Sequence, residues 1–220
     1  MILNFKTTSD GSPTLYRPDI DEHYHSVKGA VAESLHVYIN SGWRQAANHK
    51  SYIRVFEVGF GTGLNAALTA EAAQEAGICT QYYSVELYPL PSTTTALYTE
   101  ALPVKYRETF NAVNDAPWNR ECRINTRFTL HKIIGNLLTI QLPEMMDVVY
   151  FDAFAPEKQP EMWDESIFRK IYDSMTPGGI LTTYCAKGII RRMLAAIGFK
   201  TERLPGPPAG KREILRALRP

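Results

Sequence analysis

The sequence predicts an α/β chain: a mostly parallel sheet with helices on both faces and an antiparallel edge at the C-terminal end. Three observations carry this expectation. Strand-like and helix-like patterns alternate along most of the chain, as they do where each strand is followed by a crossover helix. Three glycines at alternate positions, Gly59, Gly61 and Gly63, fall between an apolar run and a helix-like run. Two β-like segments near the C-terminus flank the turn PGPPAGKR, Pro205 to Arg212, and can pair antiparallel across it.

In chain order, residues 4–8 and 13–17 read as two short strands joined by Ser9-Asp10-Gly11-Ser12, a hairpin-like turn. Val27–Ile39 reads as a helix with Val31, Leu35 and Tyr38 on one face. Ile53–Val58 is an apolar run suited to a buried strand. Thr62–Ala76 is a helix stopped by Gly77. Thr80–Leu87 is the next strand, and Pro91 starts a helix that runs to about Glu100. Residues 101–127, with Pro103, Pro117 and Trp118, show little regular period, and so long a connection is expected to be functional or partly helical. Phe128–Ile134 alternates like a strand. Asp147–Phe151 is a continuous apolar run after an acid, as in a buried parallel strand. Asp164–Ser174 reads as a helix capped by Asp164. Pro177-Gly178-Gly179 reads as a turn, and Ile180–Tyr184 as another buried strand. Lys187–Ile197 is a helix ended by Gly198, and Phe199–Leu204 with Glu213–Ala217 make the antiparallel edge. Residues 1–50 are expected to cover a ligand site carried by a domain of residues 51–220.

The composition is that of an ordinary globular chain: of 220 residues, 45% are hydrophobic and 21% charged, with a net charge of +1. No apolar run reaches the roughly 18 residues of a membrane span. The N-terminus lacks the basic-then-apolar pattern of a secretory signal. Cys79, Cys122 and Cys185 are scattered and odd in number, which suits a reducing cytoplasmic setting and no zinc site. From Lys187 onward nine lysines and arginines face only two acids, so basic charge gathers at one end of the chain.

The glycine turn, EVGFGTGLN from Glu57 to Asn65, is where ligand chemistry first enters. Glycines at a strand-to-helix turn let a ligand approach the main chain, and the helix that follows offers unpaired N–H groups. The spacing G-x-G-x-G is not the dinucleotide pattern, and alone it fits a plain turn as well as a site. Glu86, an acid ending the following strand, can accept from both ribose hydroxyls, so the pair favours an adenosine-bearing ligand. Gly135-Asn136 ends the third strand, where the Asn amide oxygen can accept from an adenine amino group; its plainer role is a turn residue. Asp152 ends the next strand in YFDAFAPEKQPEMW. A carboxylate there can hold an amine and offset its charge as it reacts, and Phe154 can stack on a planar group. Alone, Asp152 reads more readily as a turn cap and Phe154 as core; beside the glycine turn and Glu86, the functional reading outweighs these. Tyr24, His25 and Ser26 lie where a helix begins; His25 can be a base or a wall residue, and Ser26 a pocket residue or a helix cap.

These residues resemble a known family. The strings YHSVKGAVAES, EVGFGTGLNA, DAFAPEKQPEMW, TYCAKG and PGPPAGKREILRA look like the MnmC-type tRNA methyltransferases, over about residues 14–217. The resemblance implies a Rossmann-like class I S-adenosylmethionine-dependent methyltransferase fold with a seven-stranded sheet. It implies N-methylation of 5-aminomethyl-(2-thio)uridine at the wobble position of tRNA, without the flavin of the oxidase to which some members are fused. Carried over, Glu57, Gly59, Gly61, Gly63 and Glu86 would bind S-adenosylmethionine, with Tyr24, Ser26 and Asn136 around it. Asp152 would face the amine. The family usually has Asp where this chain has Asn136, which removes a charge at the adenine. Phe154 would stack on the target base, and Lys187, Arg191, Lys211 and Arg212 would meet phosphates of the anticodon loop. No metal is expected, since the sulfonium loses its charge as the methyl leaves. The rival readings are a small-molecule amine N-methyltransferase or aminopropyltransferase on the same fold, and a non-catalytic RNA-binding protein.

Overall fold

A computed structural model of the chain describes residues 3–208 and 210–220; Ala209, part of the string PGPPAGKR, lies outside the described residues. The chain opens with a three-stranded antiparallel sheet, β1 (Asn4–Thr7), β2 (Pro13–Arg17) and β3 (Glu22–His23). The turn between β1 and β2 does more than reverse the chain. Ser12 Oγ accepts from the N–H groups of Ala30 and Val31, and Asp10 Oδ2 from that of Ala32. Two side chains of the hairpin thereby cap α1 (Ala30–Ser34), whose first N–H groups would otherwise be unpaired. Ser26, one expected cap, instead accepts from the N–H of Lys28. The helix thus starts three residues later than its pattern suggests, and Val27 is left exposed.

It also runs further. α1 passes into a π-helical stretch, Leu35–Trp43, and then α2 (Arg44–Ala47). A Cβ on Gly42 would come within 3.2 Å of both Tyr150 and Thr182, so this stretch lies against the main sheet. The wider π turn shifts the helix face by a fraction of a turn, which spacing at 3.6 residues cannot anticipate.

The main sheet is built from β4 (Tyr52–Val58), β5 (Cys79–Glu86), β6 (Glu121–Arg123), β7 (Phe128–Ile134), β8 (Met146–Phe151), β9 (Met175–Thr183), β10 (Lys200–Pro205) and β11 (Glu213–Leu218). Their order is β10-β11-β9-β8-β4-β5-β7-β6. The five inner strands are parallel, and β11 and β10 form the antiparallel C-terminal edge. Among the described residues the sheet has eight strands, not seven: β6 adds a three-residue antiparallel strand beyond β7. The remaining helices are α3 (Leu64–Ala76), α4 (Ser92–Ala101), α5 (Val104–Asp115), α6 (Glu165–Ser174) and α7 (Gly188–Ile197). α5 and β6 fill the stretch that had no evident period. Pro177–Gly179 is not a free turn but an irregular part of β9, where the pairing with β8 shifts register. Asp164 caps α6 by accepting from the N–H of Ser166 at 2.9 Å.

Alternation along the inner strands divides the core between the two faces of the sheet. Ile53, Val55, Val148 and Tyr150 pack with the helices of one face; Phe56, Val58, Val149 and Phe151 pack with Trp163, Phe168 and Leu194 on the other. The order in which strands are added changes side at β4, since β5 lies on one side of it and β8 on the other, both parallel to it. In open α/β sheets the crevice beyond such a switch point takes the ligand. Here it is bounded by the glycine turn after β4 and by Asp152 after β8. Among the described residues no helix is long and apolar enough to cross a membrane.

Candidate active site

A cavity of about 760 Å³ opens at this switch point, within the size range of small-molecule sites. Its floor is the glycine turn. Gly59 has φ +86° and Gly61 φ +52°, the left-handed region where a side chain is strained. A Cβ on Gly59 would lie 2.9 Å from the Asp152 carbonyl oxygen, and one on Gly61 3.2 Å from the Tyr24 ring. Each glycine therefore keeps free a space that β8 or the N-terminal segment already borders. The N–H groups of Gly59 and Phe60 donate to Val85 O, and that of Gly61 to Glu86 Oε2 at 3.1 Å. The turn is stitched to the end of β5, and Gly63 hands it to α3.

Glu86 stands on the cavity wall. Its second oxygen accepts from the N–H of Tyr88 at 2.9 Å. Each oxygen holds one backbone donor and keeps a lone pair for a hydroxyl. Asn136 also lines the cavity, but its Oδ1 accepts from the N–H of Leu138 at 2.9 Å. The side chain thus serves as a turn residue, and it does so on the cavity wall. Tyr24, His25 and Ser26 bring the N-terminal segment over the same space. Burial, and then Glu86, push the Tyr24 phenol up to about 12, so it stays protonated. Burial pushes His25 down to about 4, which makes it a neutral wall residue near pH 7.

Asp152 faces the glycine turn across the cavity. Tyr38 Oη donates to its Oδ1 at 2.5 Å and Asn65 Nδ2 to its Oδ2 at 2.8 Å. Burial raises the Asp152 carboxyl to about 7; the Glu33 charge adds to the rise, against the Tyr38 and Asn65 hydrogen bonds. Neither Tyr38 nor Asn65 was singled out from the sequence. Asn65 ends the glycine stretch and sits in the first turn of α3, which was a usable signal. Tyr38 looked like one more apolar residue on a helix face, although a buried tyrosine hydroxyl needs a partner.

Glu57, expected to line the cofactor, is fully buried behind the wall and accepts from Ser84 Oγ at 2.7 Å. It is not among the cavity residues. Burial raises its carboxyl from 4.5 to about 8. A carboxyl raised on folding stabilises the fold fully below its unfolded value and loses that contribution as pH rises through the folded one. The urea midpoint of the native chain is therefore expected to fall between about pH 5 and pH 8. Glu57→Gln, uncharged at every pH, should fall distinctly less over the same range; parallel curves would show that Glu57 folds in as a carboxylate.

At the cavity mouth Phe154 meets Tyr24 edge to face at 5.2 Å, and the Arg17 guanidinium lies 5.5 Å from its ring centre. The string that carries Phe154 is held by Trp163, whose indole N–H donates to Phe154 O at 2.7 Å. Lys187 and Arg212 line the mouth, and Lys187 pairs with Glu157. Arg191, one turn into α7, does not reach the cavity. Lys211 turns inward, its ammonium 3.4 Å from the centre of the Tyr184 ring.

A family model described as S-adenosyl-L-methionine-dependent methyltransferase matches residues 92–220. The tRNA 5-methylaminomethyl-2-thiouridine biosynthesis bifunctional protein MnmC of Cupriavidus metallidurans is 29% identical over 238 residues, covering 94% of this chain and 32% of that protein. The protein of the same name from Pseudomonas syringae pv. syringae is 33% identical over 213 residues, covering 90% of this chain and 32% of its own length. The chain thus spans about a third of the length of these curated relatives. The crystal structure of MnmC2 from Aquifex aeolicus superposes with a TM-score of 0.81 at 27% identity, covering 98% of this chain and 70% of that one.

Proposed function

The chain belongs to the S-adenosyl-L-methionine-dependent methyltransferases, and on that premise we propose that it methylates the amine of 5-aminomethyl-(2-thio)uridine at the wobble position of tRNA. The observation that carries this reading is Asp152: a carboxylate raised to about 7, facing a glycine turn, in a cavity that accommodates a nucleoside-like ligand. The names of the MnmC relatives support this choice of base.

The residues present fit the methyl donor. Gly59 and Gly61 leave the main chain open to it, Glu86 would hold its ribose and Asn136 its adenine. When bound, S-adenosylmethionine supplies a methyl group on a cationic sulfur. Departure of a neutral thioether needs neither a Lewis acid nor a redox step, so the reading calls for no metal and no flavin. The chain's own task is the amine. A primary ammonium has no lone pair, and its pKa of ~10.4 lies more than six units above an ordinary carboxylate. At about 7 Asp152 narrows that gap to roughly three units. Tyr38 and Asn65 fix the carboxylate against rotation, so the amine it accepts from is held along one line.

The target base must leave the anticodon stack, and Phe154 between Tyr24 and Arg17 offers it an aromatic face. Lys187 and Arg212 at the mouth, with Arg17, would meet the flanking phosphates. Residues 1–50 act as a cover over a methyltransferase domain of residues 51–220. A tRNA substrate implies work in the cytoplasm.

The reading is tested by incubating the protein with labelled cofactor and tRNA from cells that lack the modification, then analysing nucleosides. Label is expected in 5-methylaminomethyl-(2-thio)uridine. Label only in small amines would favour the rival enzymes, and failure to bind cofactor at millimolar concentration the non-catalytic one. Restoring the acid at the adenine position supplies a further check. Asp at 136 would keep one oxygen for Leu138 and free the other, so Asn136→Asp is expected to tighten cofactor binding about 3- to 10-fold by calorimetry. An unchanged Kd would remove residue 136 from the adenine contact.

A further inference from the structure

Glu33 is the acid of the string YHSVKGAVAES, and the reading above gives it no role. It lies on α1, only 8% exposed, and faces the cavity. A carboxylate so far from water needs partners. One oxygen, Oε2, accepts from the N–H of Ser26 at 2.7 Å. The other points toward the Lys211 ammonium, 3.9 Å away and beyond hydrogen-bond reach.

Lys211 is itself unusual. Its cation lies on the face of Tyr184, a ring held in place by the hydrogen bond from Tyr184 Oη to Ala153 O at 2.9 Å. A ring face attracts a cation most when both are withdrawn from water. Burial lowers the Lys211 ammonium, while Glu33, Asp152 and Glu22 favour its charge. Tyr184 belongs to TYCAKG and Lys211 to PGPPAGKR, so three of the segments that carried the family resemblance converge on one point. That point adjoins Asp152, whose carboxyl feels the charges of both Glu33 and Lys211.

An aromatic face, a buried carboxylate with a free oxygen, and a second carboxylate beside it make a receptor for a primary ammonium. Lys211 carries that group on a flexible stem, and the turn it hangs from is at the cavity mouth. We propose that Glu33, Tyr184 and Asp152 form the subsite for the substrate's ammonium, and that Lys211 fills this subsite as an internal stand-in. The proposal rests on an amine substrate, as read above. The arriving ammonium displaces Lys211, which is then free to meet a phosphate of the same RNA. Exchange of one cation for another leaves the net charge of the cavity unchanged, so the site never holds two uncompensated carboxylates. Glu33 is in this sense a specificity residue: it recognises the group that distinguishes 5-aminomethyluridine from uridine.

The test is to empty the subsite and refill it with the simplest ligand of the class. Ethylammonium chloride is compared with potassium chloride at equal ionic strength, by thermal melting. In Lys211→Ala the ammonium salt is expected to raise Tm by about 3 °C more than the potassium salt, at ten times its Kd. The native chain, its subsite filled by Lys211, should show no such excess, and neither should Lys211→Ala with Glu33→Gln. If Lys211→Ala does not melt cooperatively, Lys211→Gln takes its place. An excess absent from both Lys211 variants, or undiminished by Glu33→Gln, overturns the proposal. This readout needs neither tRNA nor cofactor, so it stands even if no label enters the wobble uridine. In turnover, Glu33→Gln should raise KM for aminomethylated tRNA about tenfold with cofactor Kd unchanged; a cofactor Kd that weakens instead would assign Glu33 to the methyl donor and overturn the subsite.

Discussion

Asp152→Asn is expected to lower methyl transfer to tRNA by about a thousandfold while leaving the cofactor Kd within about threefold, the scale of a lost proton acceptor. The substitution keeps the shape of the side chain and removes its basicity. Tyr38 Oη can still donate to the amide oxygen. Asn65, whose Oδ1 has no partner, can turn its amide to accept from the new Nδ2. The fold around the site should therefore survive. The pH profile gives a second and more specific reading. With Asp152 as acceptor, the rate of the native chain should rise as pH passes about 7 and then level off, since the carboxylate must be ionised to take the proton. In Asp152→Asn the amine must lose its proton to solvent, so the residual rate should keep climbing toward the ~10.4 of a free ammonium. Turnover at the native level, or a native chain whose rate climbs without a plateau, would take Asp152 out of the proton transfer.

The parts of this site that were legible in the sequence are those whose chemistry and local structure coincide. A glycine turn between an apolar strand and a helix is visible because the backbone requires it; Glu86 and Asp152 are visible because strand ends in this architecture face the crevice. Phe128–Ile134 emerged with its observed limits because its alternation is undisturbed. Other parts depend on tertiary placement. Glu57 carries the same label as Glu86, an acid at a strand end, but it lies one residue before the strand finishes and its side chain faces the core. Tyr38 and Glu33 sit on a helical stretch that becomes π-helical between them, so their common approach to the cavity is not written in any 3.6-residue spacing. A lysine in a basic C-terminal turn, as Lys211 is, reads as a phosphate contact, and its resting position inside the cavity is not written in that pattern. Only the position of Tyr184 and Glu33 explains why it points inward. α5 gives body to the partly helical stretch expected over residues 101–127: Tyr106, Phe110 and Val113 recur at helical spacing, between prolines that obscure its limits.

Gly59→Ala is expected to weaken cofactor binding about 100-fold or more, and to depress turnover even at saturating cofactor. Two costs combine. With φ at +86° an alanine carries roughly 1–2 kcal/mol of backbone strain. Its Cβ would also stand 2.9 Å from the carbonyl oxygen of Asp152, a main-chain atom that cannot rotate away. Either the glycine turn lifts off Val85, to which Gly59 and Phe60 are hydrogen-bonded, or the end of β8 retreats and takes the Asp152 carboxylate with it. The first movement would close the proposed cofactor floor; the second would misplace the carboxylate proposed as proton acceptor, and an error of an ångström at a reacting centre costs about a hundredfold in rate. Gly61→Ala makes the informative contrast. Its φ of +52° strains an alanine too, though less since it falls within the small left-handed region that L-residues can occupy, and its Cβ would meet the Tyr24 ring at 3.2 Å rather than backbone. A side chain of the N-terminal segment can yield where a strand backbone cannot, so Gly61→Ala should weaken the cofactor by about tenfold and leave saturated turnover near the native rate. Calorimetry with S-adenosylmethionine and single-turnover kinetics separate the two effects. Equal losses in both variants would mean that the turn acts only as cofactor floor. A depressed saturated rate confined to Gly59→Ala would mean that one glycine couples the floor of the cavity to the acid on its opposite wall.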